Sequence, residues 1–452
     1  MEIDATRGSV WKTMRRFALP YLCSYFLQTL YGMADLFIIG QFEGAASITA
    51  VSIGSQVMHM MTVMLVGLAM GTTVTIAQAV GGGKREQAAW ATGNTVTLFL
   101  GCSLVLAALL TFLAQPVAAL MHTPAEAIPG TVDYLVICFL GIPFITAYNI
   151  ISAIFRGLGN SRSPMIFIAI ACAANILLDV LFMGTFQMGP AGAALGTTLS
   201  QAISVVISLV MIRRYHLGIT FRKEYLKPRG DMIRKLLRIG VPIALQDGFI
   251  QVAFLTITVI ANERGITDAA AVGIVEKIIS FVFLVPSSLL STVSALGAQN
   301  IGAGNVPRIR QGFKACTILG IGYSFVAATF IMTVGKYMTY LFVSEDVDII
   351  MSSVDIYLKC IGLFFIPLAI VNIYRNGIQG LGYGLLPMMA GVAELIGRGV
   401  VALIAAKERS YLGVCLASPA AWVLAGGLLI AMYYYIMNVH MKKMFGDYNQ
   451  KV

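Results

Sequence analysis

The chain has 452 residues, of which 58% are hydrophobic and 12% charged, and its net charge is +10. Soluble domains carry about a quarter charged residues, so most of this surface is not made for water. The seven cysteines (Cys23, Cys102, Cys138, Cys172, Cys316, Cys360, Cys415) fall in apolar stretches and the four histidines are scattered. No metal-ligand or nucleophile–base spacing results, so neither an enzyme nor a bound cofactor is expected.

A membrane span takes about 20 mainly apolar residues. Runs of that length follow one another along the chain, separated by charge and Gly/Pro clusters. The first set is expected at 16–40, 48–74, 90–114, 128–154, 165–184 and 191–213. The second is expected at 237–262, 269–296, 313–335, 352–374, 384–406 and 411–437. The fold class is therefore an all-α membrane protein of about 12 transmembrane helices. The opening MEIDATRGSVWKTMRRF is polar and then basic, and does not read as a cleaved leader.

The positions of the 31 Lys and Arg explain the charge. With the N-terminus placed in the cytoplasm, 24 fall on the inner side, four outside (Arg264, Lys336, Lys407, Arg409) and three within spans (Lys277, Lys359, Arg398). Basic residues accumulate on the cytoplasmic side of membrane proteins, so both termini are expected there. The basic balance then reports topology and contact with anionic membrane lipid, and no nucleic-acid partner is expected.

The two halves repeat. Ala77-Gln78-Ala79-Val80-Gly81-Gly82-Gly83 matches Ala298-Gln299-Asn300-Ile301-Gly302-Ala303-Gly304 at an offset of 221. Gly157-Leu158-Gly159 and Asn149 match Gly380-Leu381-Gly382 and Asn372 at 223, and Pro20 pairs with Pro242 at 222. One offset held this closely indicates a duplicated unit. Six spans per copy make the copies parallel six-helix lobes, expected as 1–220 and 221–452, joined by the basic stretch His216–Lys235. Gly81-Gly82-Gly83-Lys84 resembles part of a phosphate loop. Arg85 stands where Ser or Thr would hold magnesium, however, so a tight interhelical turn is the better reading.

A charge inside the bilayer costs a few kcal/mol (about 2.5–3.5 for Asp at mid-helix), which makes each one a functional candidate. Asp35 lies on the first span and Asp179 on the fifth, both about five residues from the outer end. Asn175 is at i−4 from Asp179, hence on the same helix face. Thr197 and Tyr134 fall at similar depth on the sixth and fourth spans. Carboxylates without basic partners, together with amide and hydroxyl oxygens, suit a proton or Na⁺ as coupling ion, because hard cations take oxygen ligands. The second half has Ile257, Arg398 and Ala402 where the first has Asp35, Asn175 and Asp179. Its own span charges include Glu394 and Arg398, whose i,i+4 order suggests a structural ion pair. Asp247, Gln251 and Glu276 are candidates for lining a substrate cavity.

Several segments taken together resemble the multidrug and toxic compound extrusion (MATE) family. They are Tyr31-Gly32-Met33-Ala34-Asp35, Arg156-Gly157-Leu158-Gly159-Asn160, Asn175-Ile176-Leu177-Leu178-Asp179, Gly192-Ala193-Ala194-Leu195-Gly196-Thr197 and Gly297-Ala298-Gln299-Asn300-Ile301-Gly302. The resemblance implies two six-helix lobes forming a V in a bacterial inner membrane. It implies multidrug efflux of cationic or amphiphilic compounds in antiport with H⁺ or Na⁺. Asp35, Asn175, Asp179 and Thr197 become the ion site, with Tyr134 a neighbour. Some members carry a Glu about two turns after the Pro that opens the second half. Ile250 and Gln251 stand there in this chain, which favours the first-lobe site. A monomer would suffice for two fused lobes. The alternative is a flippase for a lipid-linked or specific amphiphilic metabolite, which would require a more basic cavity.

Overall fold

The computed structural model describes residues 3–214, 222–343 and 347–446. The expected lobe boundary at 220/221, His216 and Lys451 lie outside the described residues. All regular structure among the described residues is helical.

The first half contains α1 (Val10–Phe42), α2 (Ala45–Gly81), α3 (Arg85–Phe112), the short α4 (Ala114–Leu120), α5 (Ile128–Leu140), α6 (Ile142–Gly157), α7 (Arg162–Asp179) and α8 (Gly189–Arg214). The second contains α9 (Gly230–Arg264), α10 (Ile266–Val282), α11 (Leu284–Gly302), α12 (Val306–Thr333), α13 (Val347–Leu363), α14 (Phe365–Gly380), α15 (Leu385–Lys407), α16 (Tyr411–Tyr435) and α17 (Met441–Phe445). Nine helices are long and apolar enough to cross a membrane, and three bent pairs bring the number of spans to twelve among the described residues.

The bent pairs were expected as continuous spans. α5 and α6 meet at 50°, α10 and α11 at 48°, and α13 and α14 at 54°. In each pair a proline stands in the first turn of the second helix: Pro143, Pro286 and Pro367. Proline lacks the N–H that would continue the ladder and its ring crowds the preceding carbonyl, which breaks the helix there.

The repeated glycines close matching helix ends. Gly83 and Gly304 both have φ of +70°, and Gly159 and Gly382 have +82° and +94°. In the first pair the next residue's N–H reaches back five positions, Lys84 to Ala79 at 2.8 Å and Asn305 to Asn300 at 2.9 Å. That is the Schellman helix end, which needs the left-handed conformation glycine adopts without steric cost. The Gly81–Lys84 segment is thus an interhelical turn.

Two compact units result. One comprises Cys23–Gly240 with Ile3, the other Asp4–Leu22 with residues 241–446. The N-terminal parts of α1 (10–22) and α9 (230–240) therefore each belong to the unit formed by the other half of the sequence, and the crossing points lie beside the repeat-related Pro20 and Pro242. The stretches leading into these helices are tied down within their units. Arg308 of α12 donates to the carbonyls of Ala5 (2.6 Å), Gly8 (2.6 Å) and Arg7 (2.9 Å). Asn94 of α3 does the corresponding work on the segment before α9. It donates to the carbonyls of Tyr225 and Lys227 and accepts from the N–H of Arg229 at 2.6 Å.

Candidate functional site: a buried carboxylate cluster

Four helices of the first unit bring their polar side chains together. Asp35 projects from α1, Tyr134 from α5, Asn175 and Asp179 from the end of α7, and Thr197 from α8. α7 and α5 both pack along α8, which brings these positions together. Asp35 is 5% exposed, and Asn175 and Asp179 are fully buried. The Thr197 hydroxyl donates to Asp35 Oδ2 at 3.2 Å. The Asp179 and Asn175 side chains lie beside the same carboxyl. Tyr134, also buried, stands next to Cys138 and within electrostatic reach of Asp35.

The cluster is short of partners. Asp35 Oδ1, both Asp179 oxygens and both amide atoms of Asn175 make no hydrogen bond among the described residues. Burying an ionised carboxylate without a counter-charge costs several kcal/mol, so such a group must take up a proton or a cation. The basic residues of α1, α7 and α8 (Lys12, Arg15, Arg16, Arg162, Arg213 and Arg214) stand at the far helix ends, at least 13 residues along the chain from the cluster residue on the same helix, and α5 has none. The donor set of carboxylate, amide and hydroxyl oxygens fits a hard cation or a shared proton.

Two local features hold Asp179. A methyl group on Gly196 would sit 1.9 Å from Asp179 Oδ1, so the carboxylate rests against bare α8 backbone. Directly after Asp179 the helix widens into a π-helical turn, Val180–Thr185, of a kind that recurs at functional sites. Sequence reasoning missed Gly196 and Tyr31 as parts of this site. The Tyr31 hydroxyl approaches Ser200 Oγ at 3.3 Å and the Thr197 carbonyl at 3.5 Å. Its position one turn before Asp35 was a readable signal.

The second unit arranges its charges differently. The ion pair expected between Glu394 and Arg398 is formed instead between Glu394 and Arg375 of α14. Arg375 reaches Glu394 from the neighbouring helix, whereas the Arg398 guanidinium lies over the Phe254 ring at 4.4 Å. Asp247 continues a polar chain in which Gln379 donates to Gln246 and Gln246 to Asp247, at 3.4 and 3.5 Å. Gln251, one turn further along α9, is half-buried. Glu276 is exposed on α10 beside Lys277 and has no hydrogen bond or ion pair to that chain among the described residues.

The MatE family profile matches residues 20–181 and again 242–404. The chain belongs to the MATE family. The two matches start at the repeat-related Pro20 and Pro242, as a duplicated unit requires. This MATE chain is 32% identical to the probable multidrug resistance protein YpnP of Bacillus subtilis, over 83% of each chain. It is 25% identical to the multidrug export protein MepA of Staphylococcus aureus, over 84% of this chain and 82% of that one. Its fold matches a MOP superfamily transporter from Pyrococcus furiosus with a TM-score of 0.90 at 20% identity, covering 96% of this chain and 98% of the other. It matches an outward-facing multidrug resistance MATE transporter equally well, with a TM-score of 0.90 at 20% identity and coverage of 97% and 98%. The chain is a multi-pass membrane protein of a family of transporters.

Proposed function

We propose that this MATE protein is a secondary active antiporter. It exports cationic or amphiphilic organic compounds from a bacterial cytoplasm in exchange for H⁺ or Na⁺ bound among Asp35, Asn175, Asp179 and Thr197, with Tyr134 beside them. Both termini face the cytoplasm, and the two lobes work as a monomer. The observation that carries the reading is the pair of buried carboxylates with unpartnered oxygens, on helices whose basic residues stand only at the far ends. The multidrug names of YpnP and MepA support the substrate class.

The chemistry follows from the geometry. Asp35 and Asp179 come from different helices, and Asn175 and Thr197 add oxygens from α7 and α8. A proton or Na⁺ cancels repulsion between the two carboxylates and draws α1 towards α7 and α8. Its departure restores that repulsion. A ligand moves a conformational equilibrium only by the difference in its affinity for the two states. Ion and exported compound therefore need not compete for the same atoms, provided they favour opposite states.

The test is efflux of ethidium or DAPI from energised cells of a pump-deficient bacterial host. Wild type is compared with Asp35→Asn and Asp179→Asn at matched membrane levels, with and without Na⁺ and a protonophore. Wild type should export dye, and both substitutions should reduce export to background. Export that survives both substitutions removes the coupling role from this cluster.

A further inference from the structure

At one end of the second unit, α12, α14 and the end of α16 surround a cavity of about 350 Å³. Its floor is aromatic. Phe313, Tyr374 and Tyr433 pack with ring centroids 4.6 to 5.6 Å apart. Arg310 and Lys314 stand above them, one helical turn apart on α12 and so on the same face. The Arg310 guanidinium donates to Asn438 Oδ1 at 2.9 Å, which fixes it at the rim. Lys314 is exposed and has no ion pair among the described residues. No carboxylate lines the cavity among the described residues.

The depth of the cavity can be read from α12. After Lys314 come 21 uncharged residues, 315–335, and then Lys336. The hydrocarbon core takes about 20 helical residues, so Lys314 marks its edge. On the far wall Tyr434 is exposed, as tyrosines commonly are at the level of lipid headgroups. From Lys314 the lining continues inward through the exposed Ile318. The cavity thus offers two cations at headgroup level, a ring-lined floor and an apolar wall beneath.

We propose that this cavity binds an anionic phospholipid, with the phosphodiester against Arg310 and Lys314 and an acyl chain along Ile318. Basic pockets between transmembrane helices recognise such headgroups. A zwitterionic lipid brings its own cation to a site that already holds two and lacks a carboxylate to receive it. The proposal requires only that these helices span a bilayer, and is independent of the exported compound and the coupling ion.

Native mass spectrometry of the full-length protein in detergent tests it, with phosphatidylglycerol or phosphatidylcholine of identical chains added in titration. Wild type should retain phosphatidylglycerol at least about tenfold more tightly. Replacing both cations, Arg310→Gln with Lys314→Gln, should weaken retention about thirtyfold, since each basic residue near anionic lipid contributes roughly a fivefold factor. The charge-preserving pair Arg310→Lys with Lys314→Arg should keep the preference. Equal retention of the two lipids, or a preference that survives loss of both cations, overturns the proposal. So does displacement of the lipid by millimolar inorganic phosphate or glycerol phosphate, which would identify a general anion site. Should the double variant fail to fold, Lys314→Glu at the exposed position is read by the same criteria: phosphatidylglycerol must weaken and phosphatidylcholine must not.

Discussion

Gly196→Ala tests whether the position of Asp179, beyond its presence, is needed for coupling. The added methyl would lie 1.9 Å from Asp179 Oδ1, while real Cβ atoms essentially never approach within 3.0 Å. The carboxylate must therefore retreat by about an ångström, and with Asp179 fully buried there is little room to do so. Functional constellations tolerate displacements of about 0.5 Å. Overpacking of this kind costs roughly 1–3 kcal/mol, or about 5- to 150-fold in an equilibrium. The expected result is dye efflux reduced at least about fivefold at matched membrane levels, with half-saturation moved to higher coupling-ion concentration. Gly40→Ala on α1 is the control, because nothing lies within 4 Å of the Cβ it would add. Full efflux by Gly196→Ala, or an equal loss in Gly40→Ala, would refute the reasoning.

In the second unit, Arg375→Ala leaves Glu394 buried and unpaired. It should lower stability by about 3–5 kcal/mol, while Arg375→Met combined with Glu394→Leu recovers most of the loss; thermal unfolding in detergent reads both. Gly83→Ala has open space for its methyl, so only the backbone at φ +70° resists it. The same melting assay should show a loss of about 1–2 kcal/mol, clearly smaller than for Arg375→Ala. Arg308→Ala removes the donor that holds Ala5, Arg7 and Gly8. Hydrogen bonds from charged donors contribute about 1.5–3 kcal/mol, so trypsin cleavage after Arg7 should accelerate about tenfold or more. An unchanged cleavage rate would show that the segment is held by something else.

The spans were legible because bilayer-length apolar runs leave a strong one-dimensional signal, and the turns because glycine recurs where the chain needs positive φ. The bends between α5 and α6, α10 and α11, and α13 and α14 were not. An apolar run reads the same whether or not a proline in its middle redirects the helix, and the angle depends on what packs against the break. At Gly141 that neighbour is Thr198 of α8, whose methyl would come within 2.5 Å of an added Cβ. Within the site, Asp35, Asn175, Asp179 and Thr197 stood out as polar groups at a common depth. Gly196 did not, because its contribution is an absence of atoms beside a side chain from another helix. The Glu394 pairing was misread for a related reason: spacing within one sequence segment offers only partners on the same helix, and Arg375 arrives from α14.

The duplicated skeleton carries buried carboxylates without an ion pair in its first half and an ion-paired one, Glu394, in its second, among the described residues. The copies agree where backbone geometry is at stake. Asn149 and Asn372 each donate to the carbonyl four residues back at 2.8 Å, and the four turn glycines take the same conformation. They differ at the three positions of the cluster. Asp35 has Ile257 as its counterpart, and Asp179 has Ala402, both nearly fully buried. The counterpart of Asn175 is Arg398, a fixed cation lying over an aromatic ring. The second unit's fully buried carboxylate, Glu394, is already engaged by Arg375. A carboxylate held by a guanidinium gains nothing from a proton or Na⁺ unless that pair is first broken, at a cost of several kcal/mol. Asp35 and Asp179 face no such competitor. Transplanting the difference should therefore be asymmetric: Asn175→Arg would place an internal cation beside Asp35 and Asp179 and silence ion-driven efflux. Removing Arg398 leaves the first-unit carboxylates as they are, so Arg398→Gln should preserve the ion dependence of whatever efflux remains. Loss of ion dependence in Arg398→Gln, with Asn175→Arg still coupled, would place the exchangeable charge in the second unit instead.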